Sequence, residues 1–149
     1  QIIMEISVNI LRQAVFRQVA RRMEWRGTRS PEDRDYDRLS LSEADKALFH
    51  SFFDEAAMHV IDICRQMLRS VSNTDEQLTL HLSISECADS LQLSAAVENM
   101  MTAHIVGLWQ EIVSPQRSEA TFSRRDDYSL KLQSILYHHP APRRGNKTD

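Results

Sequence analysis

Six histidines and twenty-one carboxylates make metal binding and acid–base chemistry the first readings to weigh. Glu55 and His59 stand four residues apart in the run DEAAMHVID, with Asp62 three further on, and His50 with Asp54 repeats that spacing one turn earlier. Residues four apart share a helix face, where a carboxylate and an imidazole can take a divalent ion. Helical carboxylate centres need a Glu-x-x-His from each of two helices plus two further glutamates, and no such pair is present. The expectation is therefore no metal and no other cofactor, with weak binding at His50, Glu55 and His59 left open. His104 lies in an apolar stretch with Glu98 six residues before it, and reads as a satisfied core histidine. His138 and His139 precede Pro140 and read as charge compensation at a helix end.

Covalent catalysis finds little to work with. Gly-x-Ser-x-Gly, His-Glu-x-x-His and Cys-x-x-Cys do not occur. Cys64 falls on an apolar helical stripe, where burial raises a thiol pKa and leaves it inert. Only three glycines are present (Gly27, Gly107 and Gly145), too few for a phosphate-cradling loop. The chain reads as not an enzyme. Its two cysteines, Cys64 and Cys87, fit a reduced intracellular protein with core thiols.

Residues 12–29 hold six arginines against one acid, Glu24, so nucleic acid must be considered. The net charge of −3 argues against a dedicated binder, and no short second helix and tight turn follow to complete a helix-turn-helix. Trp25 could stack on a base but reads as a helix-end core anchor. Contact with DNA phosphates is compatible with the pattern; sequence-specific recognition is not expected.

The elements that must carry these groups follow from periodicity. Met4, Ile6, Val8 and Ile10 alternate with Glu5, Ser7 and Asn9, which predicts a strand. From Leu11 the period becomes four through Val15, Val19 and Met23, a helix with Arg17 and Arg21 on another side. Residues 27–37 read as a polar loop around Pro31. Ser40-Leu41-Ser42-Glu43 fits a capping box for a helix over about 43–69, striped by Leu48, Phe52, Ala56, Val60, Ile63, Cys64, Met67 and Leu68. Residues 70–76 read as a connector, and Leu78, Leu80, Leu82 and Ile84 alternate as a second strand. A helix over 90–113 is apolar nearly all round, and a last one is predicted over about 117–138, ended by Pro140.

At 149 residues this is one domain, mainly α, with about four helices in a bundle and a small two-stranded antiparallel β element. Residues 1–139 form the domain, and 140–149 a basic polar tail that needs a partner to order it. Phe52, Val60, Ile105 and Trp109 are the expected core anchors. Met4 reads as a native start. A basic leader with a cleavage site is not evident, and no apolar run approaches a membrane span.

The charges are polarised. Between residues 70 and 116 there is no Lys or Arg, while Asp75, Glu76, Glu86, Asp89, Glu98 and Glu111 are acidic. Fifteen of the eighteen basic residues are arginine, the side chain suited to forked contacts at interfaces. Two zones of opposite sign on one subunit allow head-to-tail contacts, which close into rings when the rotation permits. They can equally meet within one subunit or stand as ordinary solvated faces.

With Tyr36-Asp37-Arg38-Leu39-Ser40, then Asp45, Phe52, Glu55-Ala56 and Asp62, the strand over 78–84, Ile105-Val106 with Trp109, and the ending LYHHPAPRRG, the chain resembles small head–tail connector or completion proteins of tailed bacteriophages, of the Bacteroidetes prophage type. That group places a basic residue before the prolines, whereas this chain has His138-His139. The resemblance implies a non-enzymatic virion protein, made in the bacterial cytoplasm, that forms a ring between portal and tail with its partners there. It implies that Arg12, Arg17, Arg21, Arg143 and Arg144 meet the next subunit or the portal, with Asp75, Glu76 and Glu86 as the acidic counter-surface. A helical adaptor or regulatory module binding one partner protein is the alternative.

Overall fold

The computed structural model describes residues 3–26, 43–85 and 90–137. In chain order the elements are β1 (Ile3–Leu11), α1 (Arg12–Arg26), α2 (Glu43–Cys64), β2 (Leu68–Asn73), β3 (Gln77–Ser85), α3 (Ser90–Val113) and α4 (Pro115–Leu136). The chain is mainly helical with a small antiparallel sheet.

The two expected strands pair antiparallel, Met4 opposite Ile84, Ile6 opposite Leu82, Val8 opposite Leu80 and Ile10 opposite Leu78. Side chains alternate across a strand, so this register puts the apolar set on one face. Leu78, Leu80, Leu82, Ile84, Val8 and Ile10 are all buried there. The opposite face is polar, with Ser7 Oγ 2.8 Å from His81 Nδ1 and Thr79 Oγ1 donating to Asn9 Oδ1 at 2.9 Å.

Among the described residues the sheet has three strands rather than two, in the order β1-β3-β2. Residues expected to finish a helix and a connector instead form β2, and α2 stops at Cys64. A bulge between Leu68 and Ser70 explains why the strand is hard to read. Leu68 and Val71 both oppose inner-face leucines of β3, yet lie three apart, a spacing that mimics a helix. All of β2 after Leu68 is exposed, so no alternation of burial marks it.

α3 spans the expected residues and packs against α4, α2, α1 and β1. Met100, Met101, Ala103, Ile105 and Val106 are fully buried along it, as a central helix requires. A Cβ on Gly107 would lie 2.5 Å from the Phe122 ring, so glycine lets α4 approach closely. Pro115 does not only end α3; it opens α4 in its first turn, where a missing N–H costs nothing. On α2 the most deeply buried face runs through Phe49, Phe53, Ala56, Ala57, Val60 and Cys64. Phe52 is half-buried and meets Trp109 edge-on at 5.6 Å, while Val60 and Ile105 are wholly buried. Phe52 and Trp109 thus flank the core rather than anchor its centre. Among the described residues no helix is long and apolar enough to cross a membrane.

Candidate functional site

Arg12, the first residue of α1, is only 7% exposed. Its Nε donates to Thr74 O at 2.9 Å, and Nη2 donates to Asp54 Oδ1 at 2.7 Å and Asn73 Oδ1 at 2.8 Å. Nη1 lies 2.9 Å from His50 Nδ1, and the guanidinium carbon sits 4.3 Å from the centroid of Phe53. Its backbone N–H donates to Glu76 O at 3.0 Å. One side chain therefore ties α1 to α2 and to the β2–β3 turn, using its planar fork inside the subunit. Arg12 presents no open guanidinium face and is not part of the interface proposed below.

Arg17 and Arg21 are exposed on α1, four residues apart on one side, and neither is hydrogen-bonded or ion-paired to a described residue. Asp75 and Glu76 are exposed on the turn at the start of α1, where negative charge favours the helix dipole. They join Arg12, Lys46, His50 and Phe49 around a cleft of about 480 Å³. The structure thus brings Asp75 and Glu76 together with Arg12, and leaves Arg17 and Arg21 one to three turns further along the helix. Glu86, Arg143 and Arg144 lie outside the described residues, as do the capping box at 40–42, the 27–37 loop and His138-His139.

The weak metal reading grouped His50, Glu55 and His59, and the structure divides them. His50 faces Arg12, whereas Glu55 and His59 flank His104. The His59 and His104 rings stack at 5.2 Å, a geometry that does not converge on one ion, and no metal-binding group is found among the described residues. His104 is 5% exposed. Arg125 Nη1 donates to its Nδ1 at 3.0 Å, so Nε2 carries the proton, 3.4 Å from Glu55 Oε2. Arg125 also lies over the Phe122 ring and pairs with Asp126 at 2.7 Å. Burial lowers the His104 pKa, the Glu55 hydrogen bond opposes that, and the charges of Arg125 and His59 lower it further. The partner carboxylate comes from α2, not from one turn away, so spacing alone gave no sign of it.

Cys64 is fully buried and its thiol is pushed up to about 12 by burial. Such a group is protonated at neutral pH and a poor nucleophile. No sequence pattern marks Asn73, Thr74 or Arg125, because each acts through a partner remote in sequence. Comparison of the chain with known proteins finds no matching family, no matching characterised protein and no matching solved structure.

Proposed function

We propose that the chain is a non-enzymatic assembly subunit of a tailed-bacteriophage virion, a head–tail connector or neck-completion protein that forms a ring between portal and tail. The observation that carries this reading is the contrast within α1. Arg12 is used up inside the subunit, while Arg17 and Arg21 hold two guanidinium groups in solvent on one helical face. Forked cations aligned in this way suit a carboxylate-bearing surface of a neighbour. Repeated head to tail, such a contact closes into a ring when the rotation between subunits permits. Arg143 and Arg144 join the same contact in this reading.

The adaptor alternative draws on a different feature, the exposed Ile112 and Val113 at the end of α3, 59% and 60% accessible. Electron microscopy of lysates from the source prophage with this gene deleted separates the two. Separate heads and free tails are expected for a connector. Intact virions would remove the connector reading and leave the adaptor.

A further inference from the structure

We propose that the free edge of β1 pairs with β1 of a second copy of this chain, antiparallel about a two-fold axis at Ser7. Two three-stranded sheets then become one of six. Arg12 N–H donates to Glu76 O, in step with the register that sets Leu11 opposite Gln77. Antiparallel strands bond their neighbour at every second residue. The even-numbered residues of β1 therefore turn their N–H and C=O groups toward β3. Those of Ile3, Glu5, Ser7, Asn9 and Leu11 point away from the sheet, and no described strand lies beyond them.

The other edge of the sheet is guarded. β2 has six residues, a bulge between Leu68 and Ser70, and exposed Arg69 at that bulge. Bulges, short length and charge are the usual means of blocking edge pairing. β1 has nine regular residues, no proline and no lysine, and Glu5 as its single charge.

Its sequence is self-complementary in one register. With the axis at Ser7, Ile3 faces Leu11 of the second copy, Glu5 faces Asn9, and all nine residues pair. Ile3 and Leu11 are the two large apolar residues β1 exposes, at 63% and 52%, and they cover one another in this register. On the inner face, half-buried Met4 and Ile6 gain Ile10 and Val8 of the second copy as neighbours. An axis at Glu5 sets two carboxylates opposite each other. An axis at Ile6 leaves Leu11 unmatched, and one at Val8 leaves Ile3 unmatched.

This contact is isologous and closes at two, unlike a head-to-tail ring contact. It uses the sheet edge and not the arginines of α1, so it stands or falls separately from the connector reading. Used together, the two contacts stack rings back to back; used apart, the dimer is the form of the free subunit.

Sedimentation of the purified chain tests the pairing. A dimer is expected whose dissociation changes little from 0.1 to 1 M salt, since it rests on backbone hydrogen bonds and apolar pairs. Ser7→Lys sets like charges face to face at the axis and weakens the dimer by roughly tenfold or more. A cross-link gives the second readout, in a Cys87→Ser background where Cys64 is buried. Opposed residues of a hydrogen-bonded pair lie about 5.5 Å apart, within disulfide reach. Ser7→Cys should therefore form a disulfide dimer on mild oxidation. Glu5→Cys should not, because its counterpart lies about 13 Å away along the strand. A monomer at every concentration, a dimer indifferent to Ser7→Lys, or equal cross-linking at both positions would overturn the proposal.

Discussion

The first turn of α1 and its middle carry the same residue type to opposite ends. Arg12 is held by Thr74, Asp54, Asn73 and His50 and lies against Phe53, whereas Arg17 and Arg21 stand in solvent. An arginine-rich helix is thus two things in sequence: a strut that fixes the subunit, then a face available to something outside it. Charge counts alone cannot tell these apart. What distinguishes them is whether acceptors from distant segments converge on the guanidinium.

The largest effect is expected where the strut is cut. Arg12→Ala leaves the Thr74 carbonyl without its partner and uncovers one face of the buried Phe53 ring, and should cost about 2–4 kcal/mol of stability. A denaturant midpoint reads this directly. Arg12→Lys should recover only part, because an ammonium cannot span the same acceptors. A near-neutral Arg12→Ala would contradict the role of Arg12 as a strut.

A second arginine–histidine pair inverts the burial. In Arg12–His50 the guanidinium is the buried member; in Arg125–His104 it is the imidazole. Gly107→Ala drives a methyl into the Phe122 ring that underlies Arg125. Overpacking of this kind costs about 1–3 kcal/mol, against a helix-propensity gain of about 1 kcal/mol, so a net loss is expected in thermal unfolding.

The pH dependence should report on the Arg125–His104 pair. The His104 pKa is lowered in the folded protein by burial, with Arg125 and His59 adding to that and Glu55 opposing it. As pH falls below the ordinary histidine value of 6.5, the unfolded chain takes up this proton first. The stability from neutral His104 is therefore present above 6.5 and is lost as pH falls toward the folded value. Replacing Arg125 by Gln, which removes a charge that lowers the pKa, should flatten that slope in unfolding measured between pH 5 and 8. An unchanged slope would contradict the part assigned to the Arg125 charge.

Much of the fold was legible because it repeats simple periods. The alternations of β1 and β3 identify two strands, and the apolar run over 90–113 marks the central helix to its ends. β2 was not legible, since its bulge sets Leu68 and Val71 out of step and its edge position leaves the strand mostly exposed. The choice of Phe52 over Phe53 has a similar cause. Leu48, Phe49, Phe52 and Phe53 make a broad apolar face, and the part that turns inward is set by tertiary contacts such as Phe49 on Phe16 and Arg12 over Phe53. Arg12 was hidden for another reason, that its partners lie 38 to 62 residues away.

Substitutions at Arg17 and Arg21 should barely move stability, by about 0.5 kcal/mol or less, as exposed sites do. Their effect belongs to assembly. Sedimentation velocity of the wild-type chain and the Arg17→Glu, Arg21→Glu double variant, at 0.05 and 0.5 M salt, gives the answer. Species larger than a dimer are expected for the wild type at low salt, shrinking as salt screens the contact and missing from the variant. Larger assemblies that persist in the folded double variant, or a wild-type chain that never passes the dimer, would contradict the assignment of these two arginines to assembly.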